Sequence, residues 1–341
     1  MTALGRIARM TGSLVPAALA RPFGAPTAVL FHGVERTIAD PAIQGSQHAL
    51  DAFETIARLL KRDFDVLPLD ALADVLKRPE RHPRAVFLTS DDGYANTLTL
   101  AADVLSAFGL PWTLFVSTHH IDTGALIPPT AVRIFFQHAR AGRYAIPYLG
   151  HVELGAQPER LEAAGATLRS LKRMAAPKAD EAVAVMMGGL AVHGVGEPGA
   201  LYPSERLLSW DQLRELKKRG VEIGAHADTH WPMHDDQSGD WLTLQATRPK
   251  ARIEAEIGPC RFFAYPFGQD RDVGRRAWQA VRDAGYANAF TTHSGSLDAS
   301  ANPFLMPRYG LAPQESNLAA FLPVLRANNA RLRQWQSRIG T

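Results

Sequence analysis

The chain lacks the features that define several large protein classes. It holds a single cysteine, Cys260, in 341 residues, which excludes an internal disulfide and suits a reducing compartment. No run of about 18 apolar residues occurs, so no transmembrane segment is expected. No Gly-x-Gly-x-x-Gly follows an apolar run and no Walker-type lysine loop is present, which leaves dinucleotide and P-loop chemistry without support. The formal net charge is only +3, and the arginines are scattered over predicted helices, so no nucleic-acid partner is expected. Internal repeats and low-complexity segments are absent.

What remains is a globular composition, 46% hydrophobic and 21% charged, with enough apolar residues for a full core. Arg6 and Arg9 precede the stretch Leu14 to Ala20, which has a faint likeness to a signal peptide. Thr11, Gly12, Ser13 and Pro16 interrupt it, so residues 1–26 read as a basic lead-in. A cytoplasmic location is the expectation and export the alternative. Arginines near the end (Arg326, Arg331, Arg333, Arg338) read as a solvated helix face, with peripheral membrane contact as the less favoured reading.

Short apolar runs alternate with helical periodicity. Ala28-Val29-Leu30-Phe31, Val66-Leu67, Ala85 to Leu88, Trp112 to Val116, Val221 to Ile223 and Ala289 to Thr292 read as strands, and Arg261 to Gly268 as a strand into a tight turn. Helices are expected between them, including one opened by the capping-box pattern Ser209-Trp210-Asp211-Gln212 and closed at Gly220. This rhythm predicts βαβ units and a parallel sheet or barrel. It lapses over 124–205, which reads as a mostly helical insertion that packs on the core as scaffold. A helical tail is expected over 312–341, with Leu318, Phe321, Leu322 and Leu325 turned inward.

Where the Ala85–Leu88 strand should end stands Thr89-Ser90-Asp91-Asp92-Gly93-Tyr94. Adjacent carboxylates repel unless a cation or shared proton relieves them, so the pair suggests a metal or acid/base role. A Ser/Asp/Gly turn that caps the next helix is an equal reading of the same letters. His226 and His230 follow another strand at a spacing of four, which puts both imidazoles on one face if the segment turns helically. Pro232 should break that turn before His234, leaving His234 at a rim, and His119-His120 read as core or surface histidines. One carboxylate with two neutral imidazoles suits zinc or a similar divalent ion with positions open for water and substrate. A second carboxylate beside that set could accept a proton from water, which describes hydrolysis of an amide or ester.

Asp91-Asp92-Gly93, Glu222-Ile223-Gly224 with His226-x-x-x-His230, and Phe263-Ala264-Tyr265-Pro266-Phe267-Gly268 together resemble the first three motifs of the polysaccharide deacetylases. This is carbohydrate esterase family 4, the nodulation-protein-B homology domain. Phe31-His32-Gly33, Leu208-Ser209-Trp210 and Met306-Pro307-Arg308 extend the resemblance over about 27–311. It implies an irregular, incomplete (β/α) barrel with the site at the carboxyl ends of its strands. It further implies Asp91 as general base, Asp92, His226 and His230 as ligands of Zn2+ or a similar divalent ion, and the Phe267 N–H as an oxyanion donor. Tyr94 and Tyr265 are expected to contact substrate. The activity implied is removal of N-acetyl groups from a sugar or polysaccharide, such as a bacterial cell-surface glycan. Formyl or cyclic amides, or a catalytically weak carbohydrate-binding protein, are the alternatives.

The chain departs from the family at telling places. Ala264 stands where many members carry an arginine that pairs with the catalytic aspartate. Ser90 replaces a phenylalanine, and Ala227 a serine or threonine. The C-terminal general-acid motif is not recognisable. His293 is the candidate substitute for that acid, and Arg308 for the missing arginine.

Overall fold

The computed structural model describes residues 25–192, 197–311 and 332–340. The signal-like stretch, Arg326, Arg331 and the apolar stripe from Leu318 to Leu325 lie outside them. Strands β1 (Thr27–Phe31), β4 (Asp65–Val66), β5 (Ala85–Ser90), β6 (Trp112–Val116), β9 (Glu222–Ala225), β10 (Phe262–Ala264), β11 (Asn288–Phe290) and β12 (Tyr309–Gly310) form one eight-stranded sheet, while β2 (Gly33–Glu35) and β3 (Gln47–Ala49) make a separate parallel pair. The order in the large sheet is β11-β10-β9-β6-β5-β1-β12, with β4 joined to β5, and every pairing is parallel. The sheet curls into an incomplete (β/α) barrel.

Both faces of the strands are buried, and side chains alternate between them. In β5, Val86 and Leu88 join the large cluster that packs against helices Leu50–Asp63 and Trp210–Lys218. Ala85 and Phe87 face the other way, into a cluster with Phe115, Phe262, Ala264, Phe290 and Met306. That second cluster fills the barrel interior. Gly224 is required beside it, because a Cβ there would lie 2.6 Å from the Phe115 ring and 2.9 Å from the Phe262 carbonyl oxygen.

The barrel is sealed by a short run rather than by a full strand. Met306 bridges to Phe290 on β11, while Tyr309 and Gly310 pair with Val29 and Leu30 on β1. Arg308 therefore sits inside the seam between the two edge strands. The helix over 332–338 buries Leu332 and Trp335 in the main cluster, so this part of the tail packs on the catalytic domain. Arg333 pairs with Asp298 at 3.4 Å.

Three local features depart from the sequence reading. The insertion is not only helical: β7 (Gly142–Ile146) and β8 (Gly150–Leu154) form an antiparallel hairpin. Each strand buries only its last residue, so neither carries a run of apolar letters. The long helix Gly239–Glu256 carries Pro249 in its interior, a residue that normally ends the pattern. The helix after the Asp pair begins as a π-helical turn over Thr97–Ala101 before Ala102–Ala107 becomes α-helical. The insertion keeps its own core, with Phe135, Phe136, Leu171, Met186 and Leu190 packed around Trp231 of the barrel.

Candidate active site

The site gathers where β5, β9, β10 and β11 end, the edge at which parallel α/β sheets place ligands. Asp91 follows β5, and its N–H donates to the Phe31 carbonyl at 3.1 Å. The loop behind it is braced by a strand-like pairing, with the Ala95 N–H donating to Arg206 O and the Leu208 N–H to Gly93 O, each at 2.8 Å. The Leu208-Ser209-Trp210 segment thus clamps the Asp pair from below, and the predicted capping box holds the helix that follows.

Asp91 and Asp92 point to different partners. Arg308 donates through its two terminal nitrogens to both Asp91 oxygens, each at 2.7 Å. The guanidinium is fully buried. It also donates to Thr89 Oγ1 and Thr291 O, each at 3.1 Å, and lies 5.4 Å over the Phe115 ring. Bidentate Arg–carboxylate pairs are among the strongest polar contacts in proteins. Burial would raise the Asp91 carboxyl, but Arg308 and His226 outweigh it and hold the group below its ordinary range.

Asp92 turns instead to the histidines. His230 Nε2 lies 3.0 Å from Asp92 Oδ1 and His226 Nε2 3.5 Å from it. The two imidazole rings are 5.0 Å apart. Burial opposes charge on Asp92, yet the field of His230 and hydrogen bonds from both histidines push its carboxyl well below the usual value. Burial likewise favours neutral His226, but Asp91 and Asp92 raise it; at His230 burial prevails and lowers it.

The segment between the histidines is not helical. Ala227 and His230 adopt φ of 57° and 55°, and this left-handed path, rather than a helix face, brings the rings together. Four of the five non-glycine residues with positive φ among the described residues are Asp92, Ala227, His230 and Phe267. Each such conformation costs on the order of 1 kcal/mol or more, and their clustering marks a site the surrounding packing holds in place.

The donor set fits a divalent cation. Asp92, His226 and His230 each offer one atom, all within 4.8 Å of one another. Nδ1–H of His226 donates to the Ala264 carbonyl at 2.8 Å, which orients the ring so that Nε2 is the atom directed at Asp92 and the one available as a ligand. Ala264 thus serves the site through its backbone, where an arginine side chain had been the family expectation. Arg308 reaches the same aspartate from the barrel seam.

The turn after β10 forms the opposite wall. Phe267 has φ of 62°, and its ring meets that of His230 at 5.2 Å. Gly268 must be glycine, since a Cβ would sit 2.7 Å from the Thr292 nitrogen. Thr292 Oγ1 donates to Phe267 O, and the Thr292 N–H donates to Gly268 O at 3.1 Å. This lacing ties the turn to the loop that carries His293. The His293 ring contacts the Asp270 carboxylate through Nε2 and stacks on Trp335 at 4.2 Å. Asp270 and Trp335 carried no signal in the sequence: Asp270 stands in the loop two residues past the Phe263–Gly268 motif, outside its letters, and Trp335 lies far from any motif.

Other expectations change. Tyr94 and Tyr265 are buried, at 1% and 0% exposure, as are Asp91 and His226. The Tyr265 hydroxyl donates to Phe304 O at 3.0 Å, and burial near Asp92 and Glu205 drives the Tyr94 phenol well above its usual value. His234 is buried beside Gln237 rather than at a rim. His120 is a core histidine that burial lowers to about 3. His32, noted in the sequence only as part of Phe31-His32-Gly33, lies at the end of β1, and its field helps to lower both Asp91 and Asp92.

Comparison with known proteins agrees with this geometry. Solved structures that resemble the chain include a Streptococcus pyogenes deacetylase, PplD, in complex with acetate (TM-score 0.57, 14% identity, 89% of this chain and 98% of that one). IcaB from Ammonifex degensii is similar (0.52, 14%, 88% and 98%). So is a de-N-acetylase from Aggregatibacter actinomycetemcomitans (0.51, 17%, 85% and 96%). At such identities the likeness shows the fold. No curated protein sequence matches the chain. The polysaccharide deacetylase family pattern matches residues 78–289, more than half of the chain, which takes in Asp91, Asp92, His226, His230 and Phe267; the chain belongs to the polysaccharide deacetylase family, hydrolases acting on carbon–nitrogen bonds.

Proposed function

We propose that the chain is a metal-dependent hydrolase that removes N-acetyl groups from an N-acetylated sugar or polysaccharide. The observation that carries this reading is the division of labour between the adjacent aspartates. Asp92 converges with two imidazoles, while Asp91 is held anionic by Arg308 with no place in that donor set.

Asp92, His226 and His230 would hold Zn2+ or a similar divalent ion. Such an ion supplies Lewis-acid polarisation of a carbonyl oxygen and lowers the pKa of water. Asp91 accepts the proton of the attacking water, and Arg308 fixes the orientation of its carboxylate. The N–H of Phe267 donates to the oxygen that gains charge as the carbonyl becomes tetrahedral. His293, backed by Asp270 and Trp335, gives a proton to the departing nitrogen. One water is consumed, the C–N bond breaks, and the products are acetate and a free amine. Acetate release from N-acetylglucosamine oligomers, with and without chelator, tests the reading. Chelator-sensitive release supports it; release only from formyl or cyclic amides would reassign the substrate, and none from any amide would sink it.

A further inference from the structure

The insertion meets the active site at one corner, where helix Gln157–Leu171 ends and helix Ala176–Val192 begins. Lys172 follows the first helix. Its ammonium lies 4.0 Å from the centroid of the Phe267 ring and 2.9 Å from Asp272 Oδ1. Both partners belong to the turn after β10. Asp272 Oδ2 accepts from the Gln269 N–H at 3.1 Å, and the Asp272 N–H donates to Gln269 O at 2.8 Å. The Asp272 side chain is 7% exposed and that of Lys172 23%, so solvent screens the pair only in part.

The same corner is tied to the histidine loop. Gln237, buried, accepts the Ala176 N–H at 3.0 Å and donates to Met174 O at 3.1 Å and Pro232 O at 3.3 Å. Residues 172–176 therefore bind both segments that shape the site, the loop carrying His230 and the turn carrying Phe267. Phe267, like His230 in the facing loop, holds a positive-φ backbone that is unfavourable for a bulky side chain. A cation over its ring holds that ring against His230, and a ring so held fixes the peptide behind it.

We propose that Lys172 is a positioning residue for the hydrolysis, holding the Phe267 peptide in the left-handed conformation that aims its N–H at the developing oxyanion. This rests on the reading of the site given above. Lys172 acts through Phe267 and touches neither metal donors nor reacting atoms. The group must be cationic and must sit over the ring, so arginine, which also binds aromatic faces, can replace it and methionine, of similar length but uncharged, cannot.

The test compares Lys172→Met, Lys172→Arg and, as a control ion pair on an outer helix, Lys217→Met, whose partner is Glu222 at 2.7 Å. Acetate-release kinetics are read beside hydrogen–deuterium exchange of residues 265–272. Lys172→Met is expected to lower kcat by up to about 10²-fold with KM unchanged, the effect of displacing one donor by about 1 Å. It should also speed exchange in 265–272, and Lys172→Arg should restore both. The proposal is overturned if exchange in 265–272 and kcat match the Lys217→Met control, or if only KM rises, which would make Lys172 a substrate contact. Should the wild type release no acetate, the functional reading fails separately, and the exchange data alone decide whether Lys172 holds the turn.

Discussion

The strand ends of the barrel and the insertion are built on opposite plans. At the strand ends, buried charges stand within hydrogen-bond reach of one another: Asp91 with Arg308, and Asp92 with His226 and His230. The insertion is an apolar cluster of helices and a hairpin, centred on Phe135 and Phe136. Among its described residues, Lys172 reaches the wall of the site, over the Phe267 ring. The contrast shows that folding energy and chemistry are separable here. Apolar burial of about 1.5–3 kcal/mol per large side chain holds the insertion together, whereas the strand ends carry charge whose desolvation is tolerable only because each group is paired.

The sharpest way to break this contrast is to unpair a charge. Arg308→Met should destabilise the fold by about 3–5 kcal/mol, because Asp91 is left buried without its partner. Its effect on pH follows from sign. Asp91 now titrates below its ordinary value, so the stability it contributes is present above the unfolded pKa and lost as pH falls through the lowered one. Without Arg308, burial pushes the carboxyl up, and the acid limb of kcat/KM should move to higher pH. An unmoved limb would show that Arg308 does not govern the base.

Phe135→Ala attacks the other side. The ring is fully buried, with Phe136 and Tyr144 within 5.5 Å of its centroid. Its loss should lower stability by about 3–5 kcal/mol, while kcat per folded molecule changes less than about threefold, a small fraction of the effect of removing a catalytic group. A collapse of kcat in folded protein would mean that the insertion's interior, and not only its corner, shapes the chemistry. Ser209→Ala sharpens the comparison at its low end. Loss of this N-cap should cost about 1 kcal/mol in a thermal melt and leave kcat unaltered.

The candidate base and two of the candidate ligands were legible because they stand at the ends of strands whose apolar runs are unmistakable: Asp91 and Asp92 after Ala85–Ser90, His226 after Glu222–Ala225. Arg308 was legible as a substitute for the arginine missing at 264, though not its fork onto Asp91, since the barrel seam that carries it consists of two short pairings. The spacing of His226 and His230 pointed to the right pair through the wrong geometry, because left-handed residues leave no trace in periodicity. Trp335 and Asp270 were hidden for another reason. Their link to His293 spans loops and a terminal helix, and only tertiary packing brings them together. The hairpin and the Pro249 helix stayed unread because their residues break the usual local rules.

The central claim is that the adjacent aspartates have separate tasks, and metal content measured beside turnover tests it most directly. Wild type and Asp91→Asn should each retain about one divalent ion per chain, with Asp91→Asn losing roughly 10²–10⁴-fold in kcat. His226→Ala should lose both ion and activity. Near-normal turnover in Asp91→Asn, or a full complement of metal in His226→Ala, would contradict the account.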